Sequence, residues 1–101
     1  MENLPTTEQI TKLQEQYGLK QMQDLINNGT CWKLEGSYGR AAMNTLESGQ
    51  CMLPEEQHRD YYGNTVPSRT ELRAGTKGTL LNCQRFWQKV LDGDIELEMD
   101  E

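Results

Sequence analysis

TLLNCQRFWQKVLD, residues 79–92, decides the fold. Leu80, Cys83, Phe86, Trp87, Val90 and Leu91 recur at the helical period and form a wide apolar stripe. Such a stripe predicts an amphipathic helix over about 79–92 that must bury one face against other helices. If Trp87 is in that buried face, its deletion is expected to cost about 3–5 kcal/mol. A chain of this size is expected to hold only roughly 5–8 kcal/mol in total.

Upstream, the chain is punctuated by one pattern, an apolar residue, two more residues, then glycine. It occurs at Ile26–Gly29, Leu46–Gly49, Leu72–Gly75 and Val90–Gly93. Glycine reaches the left-handed conformation that stops a helix without steric penalty, so each predicts a helix end. In three cases an apolar residue follows two positions later (Cys31, Cys51 and Ile95), as expected where the chain turns back onto a core.

These stops divide the chain into short helices. Thr6 and Gln9 form a capping box for a helix over about 7–17, with Ile10, Leu13 and Tyr17 on one face. Gly18 breaks it, and a second helix over about 19–28 buries Leu19, Met22, Leu25 and Ile26. So short a connection makes a helical hairpin or an angled helix-turn-helix unit. Ser37 is the expected cap of a third helix over about 38–48, in which Gly39, Ala41 and Ala42 permit close packing beside Met43 and Leu46. After Cys51-Met52-Leu53 comes a loop-rich segment, about 54–68, in which Tyr61 to Val66 has hairpin-turn chemistry. Ser68 to Glu71 reads as a second capping box, for a helix of one or two turns ending at Gly75. The expected fold is a small, mainly α single domain of four to five short helices over 1–91, followed by an acidic tail over 92–101 that frays.

The charge is unevenly placed. The tail carries six carboxylates and no basic residue, equal to the net charge of −6, so the rest of the 101-residue chain is neutral. From His58 to Lys89 there are six basic residues against two acids. Such segregation bears on partners and self-masking more than on fold. No apolar run approaches 18 residues, so no membrane-spanning helix is expected. Met1 to Gln9 has neither a basic start nor an apolar stretch, so no secretory leader is expected either. Cys31, Cys51 and Cys83 are odd in number and far apart, which fits reduced thiols in a cytoplasmic protein better than a disulfide framework.

Candidate chemistry is sparse. His58 is the sole histidine and cannot be paired by spacing with any cysteine. The cysteines fall on apolar stripes or after helix stops, where they read as small hydrophobes. Nothing has zinc-ligand spacing. No catalytic residue, metal or cofactor is therefore assigned, and the protein is read as non-enzymatic. Gly75-Thr76-Lys77-Gly78 between two predicted helices could cradle a phosphate, although its spacing is not that of a Walker A loop. Around it, Arg59, Tyr61, Tyr62, Arg69 and Arg73 combine aromatic faces with cations, the ingredients of single-strand nucleic-acid binding. The second helix offers Lys20, Gln21, Gln23, Asn27 and Asn28 as a recognition helix, without an arginine. In the tail, Asp94 to Asp100 alternates acid and apolar residues, which puts Ile95, Leu97 and Met99 on one side of an extended segment. That segment is a candidate partner-binding motif, an edge strand, or a mask over the basic stretch. The leading expectation is a regulatory or binding protein that acts through an unknown protein partner. The alternative is a nucleic-acid-binding protein modulated by its tail.

Overall fold

The computed structural model describes residues 3–34 and 36–97. The chain forms α1 (Thr7–Gln16), α2 (Lys20–Asn27), a 3₁₀ turn (Thr30–Trp32), α3 (Gly36–Ser48), β1 (His58–Arg59), β2 (Thr65–Val66) and α4 (Leu80–Leu91). The mainly α expectation holds. Thr6 and Gln9 close both halves of the α1 capping box, and Thr79 caps α4 by accepting from the Asn82 N–H.

Segment 50–54 organises the packing. It lies between two halves of the core, and successive side chains enter opposite halves. Cys51 and Leu53 join Ile26, Cys31, Ala42 and Leu46 on one side. Met52 joins Ile10, Cys83 and Trp87 on the other. A buried segment outside any helix or sheet must find partners for its backbone elsewhere. Here side chains supply most of them. Gln23 pairs with Met52 as a strand would: its Oε1 accepts from the Met52 N–H and its Nε2 donates to the Met52 carbonyl, both at 2.9 Å. The Gln50 carbonyl accepts from Gln14 Nε2 and Trp87 Nε1. The Leu53 N–H donates to the Gly78 carbonyl at 2.8 Å, and the Leu53 carbonyl accepts from Arg69 Nε at 2.8 Å.

Gly29, Gly49 and Gly93 follow helices as the pattern predicts, each with positive φ, whereas Gly75 also has positive φ but follows no helix. Gly49 is also pressed against α4, where an added Cβ would lie 2.7 Å from Phe86 Cβ. Cys31 and Cys51 are buried two residues after their stops, and Ile95 is half-buried.

Two local expectations need correction. The third helix begins at Gly36, so Ser37 lies within its first turn and is not the cap. Ser68 to Gly75 forms turns, not a helix. Half of its capping box exists, since the Ser68 N–H donates to Glu71 Oε1, but Ser68 Oγ faces Thr70 Oγ1. Tertiary bonds decide this segment, because both the backbone and the guanidinium of Arg69 are drawn to residues 53–54. The expected hairpin forms, with register His58 to Val66 and Arg59 to Thr65, so Tyr61 and Tyr62 occupy its turn.

Candidate functional site

The hairpin turn is braced from within. The Asp60 carboxylate accepts from the backbone N–H groups of Tyr62 and Asn64, and the Arg59 guanidinium donates to the Gly63 carbonyl. This bracing holds Tyr61 and Tyr62 outward, 76% and 83% exposed, with their rings edge-to-face at 5.2 Å. The Tyr61 N–H donates to the Trp32 carbonyl, which ties the turn to the 3₁₀ turn after α2.

Two adjoining grooves result, and Trp32 and Asp60 line both. The first, about 450 Å³, runs between Tyr61, Tyr62, Lys33, Leu34 and the first turn of α3 at Gly36 and Gly39. The second, about 340 Å³, is an apolar cleft between α3 and β2, floored by Met43, Leu46, Leu53, Val66 and Pro67, with Leu72 at its side. Lys77 and Glu47 also line this cleft, 3.9 Å from each other. Of the seven exposed large hydrophobic residues among the described residues, five line these grooves: Leu34, Met43, Tyr61, Tyr62 and Leu72. Solitary exposed apolar residues are ordinary, whereas a cluster rimmed by polar groups marks an interaction surface. Trp32 Nε1 is buried with no acceptor among the described residues. Gly39 bears on the same surface. An added Cβ there meets nothing within 4 Å, so the glycine leaves space in the first groove. A helical glycine costs about 0.5–1 kcal/mol relative to alanine.

The sequence candidates divide between surface and interior. Arg59, Tyr61 and Tyr62 stand together at the hairpin tip, and Arg73 is exposed. Arg69 is buried, with Nη2 donating to Asn27 Oδ1 at 3.0 Å, and burial pushes its guanidinium below its ordinary pKa against the opposing pull of Glu55. In the Gly75–Gly78 loop, the Gly75 and Thr76 N–H groups are spent on Thr79 Oγ1 and the Arg73 carbonyl. Gly78 is packed so closely on Leu53 that a Cβ would lie 2.8 Å from its Cγ. The loop thus admits the 50–54 segment and starts α4. Gln23 and Asn27, read as base-contacting residues, turn inward as well, with Gln23 Nε2 donating to Asn27 Oδ1. Asn28 is spent on the Thr30 N–H, and Lys20 pairs with Asp24.

The tail begins by folding back. The Asp94 and Ile95 N–H groups both donate to the Lys89 carbonyl, and Leu97 packs on the Ile10–Trp87 side of the core. No described tail carboxylate forms an ion pair with the basic stretch. Met99 lies outside the described residues.

All three thiols are free and buried. Desolvation pushes Cys31 and Cys51 up to about 11 and Cys83 up to about 12. The folded protein therefore holds them protonated above pH 9, where unfolded thiols ionise. Because the unfolded state then binds fewer protons, their contribution to stability is complete below pH 9 and declines as pH rises from about 9 towards 11. Urea titrations across this range should show that decline in the natural protein and a weaker one in a Cys-to-Ala triple variant. Native thiols should also react with Ellman's reagent at pH 8 only as fast as the fold opens.

His58 is equally committed: its Nε2 lies 2.8 Å from the Asn27 carbonyl, and its ring packs under Gly29. Among the described residues no three His, Cys, Asp or Glu side chains gather as a metal site, and no helix is long and apolar enough to cross a membrane. What the hairpin and α3 jointly offer is a braced aromatic tip beside an apolar cleft, a geometry suited to gripping side chains. Compared with protein families, curated proteins and solved structures, the chain matches none.

Proposed function

We propose that this is a non-enzymatic binding protein that docks another protein on the paired grooves around Trp32 and Asp60. The observation that carries the reading is the gathering of Leu34, Met43, Tyr61, Tyr62 and Leu72 along one surface. Tyrosine and tryptophan are suited to such a role, because they bury large area while losing few rotamers. Three buried reduced thiols fit a reducing compartment, and we assign the protein to the cytoplasm on that basis.

A photo-crosslinking residue in place of Tyr62 tests the reading in cells of the source organism, with the same residue in place of exposed Glu8 on α1 as control. A discrete protein adduct at position 62 that is absent at position 8 is expected. The same adducts at both positions, or none at either, would overturn the proposal.

The nucleic-acid reading keeps a narrower basis, the Arg59, Tyr61 and Tyr62 group at the hairpin tip. Two of its four proposed cations are otherwise engaged, Arg69 in the core and Lys77 beside Glu47.

A further inference from the structure

We propose that the paired grooves receive a short extended peptide of another protein, one that carries a large apolar side chain followed by carboxylates. This rests on the docking reading above and adds the chemistry of the partner. The apolar anchor enters the cleft floored by Met43, Leu46, Val66 and Pro67. The acids lie over the other groove, which Lys33 lines and beside which Arg40 and Arg59 stand.

Lys33 lines that groove. Arg40 stands beside it, with Nη1 3.1 Å from where a Cβ on the lining residue Gly36 would be. Arg59 is held at the hairpin turn by the Gly63 carbonyl, 2.8 Å away. None of the three has a carboxylate within 4.0 Å among the described residues. In a chain of net charge −6, three such cations beside exposed tyrosines are a local concentration of positive charge. Asp60 does not neutralise them by direct pairing, since its carboxylate is turned onto backbone N–H groups of its own loop. Charge complementarity therefore selects an acidic segment at this end and steers its approach. A nucleic-acid strand fits less well, because the continuation of the site is apolar. Gly39 leaves room for the peptide, since no atom lies within 4 Å of its missing Cβ.

The test is selection from a random displayed peptide library on the full chain, followed by fluorescence anisotropy with the selected peptides. Titrations use the natural protein, a Lys33→Glu/Arg40→Glu variant and Gly39→Leu, with each melting temperature measured. The expected consensus joins Leu, Met, Phe or Trp to Asp or Glu. Affinity should fall about tenfold with charge reversal and weaken with salt. Gly39→Leu should abolish binding while the melting temperature stays at or above the natural value. A basic or uncharged consensus, or unchanged affinity after charge reversal, would overturn the acidic assignment and leave the docking surface standing. No enriched peptide, or equal binding by Gly39→Leu, would overturn the surface and the proposed function together. A mixed-sequence single-stranded oligonucleotide that displaces the peptides would reassign the grooves to nucleic acid.

Discussion

Trp87→Ala should lower stability by about 3–5 kcal/mol, through lost transfer energy and the cavity left behind. Trp87 is 0% exposed, stacks near Tyr17 and Phe86, and donates its indole N–H to the Gln50 carbonyl at 3.1 Å. The side chain thus joins α4, α1 and the 50–54 segment. For a domain of this size that loss corresponds to a melting temperature lower by roughly 15–30 °C. Trp87→Phe keeps a six-membered ring but loses the pyrrole half and its hydrogen bond, so its cost should be smaller, about 1–3 kcal/mol. Urea denaturation of the three proteins measures both differences. If Trp87→Ala unfolds within 1 M urea of the natural protein, where roughly 1–3 kcal/mol per molar is ordinary, Trp87 is not the keystone described here.

Gln23→Leu should cost about 2–5 kcal/mol although it replaces a polar residue in the core with an apolar one of similar size. The reason lies on the facing backbone. Met52 would keep its buried N–H and carbonyl but lose the amide that pairs with both, and each orphaned group costs about 1–3 kcal/mol. Gln14 Nε2 retains Gln50 and Asn27 Oδ1 retains Arg69, so the damage is confined to Met52. Gln23→Glu gives an independent check. It keeps an acceptor for the Met52 N–H but turns a carboxylate towards the Met52 carbonyl and Asn27 Oδ1. Those acceptors raise the folded pKa of the new carboxyl above its unfolded value of about 4.3. The unfolded state then gives up its proton first, so this variant's deficit should be present above that value and shrink as pH falls below it. Equal stability of Gln23→Leu and the natural protein would show that residues 50–54 do not depend on this pairing.

These two residues also mark how far the sequence could be read. Trp87 belongs to a stripe whose period specifies helix and burial together, so its role was legible from spacing. Gln23 was not, because a glutamine on a predicted helix face reads as solvent-facing or base-reading. The arrival of Met52, 29 positions later, gives its amide the two-bonded backbone partner that holds it inward. Arg69 repeats the lesson: its charge advertised a surface cation, while its bonds to Leu53 and Asn27 place it inside. The capping box at Ser68 failed for the same reason, since local propensity lost to tertiary hydrogen bonds. Tyr61 and Tyr62 were found by residue type, yet the grooves beside them were not. Leu34, Met43 and Leu72 carry no individual signal, and chain separation hides their proximity.

By itself, then, the sequence determined the four longer helices and the glycines that follow them, but not the start of α3 or the absence of a helix at 68–75. Apolar period, caps and left-handed glycines act within a few residues, so they can be read along the chain. Tertiary structure alone decided which polar side chains face inward, where the tail's Leu97 rests, and that α3 and the hairpin enclose a surface around Trp32. Those outcomes depend on pairing buried backbone groups across long separations, and no local pattern encodes the partner.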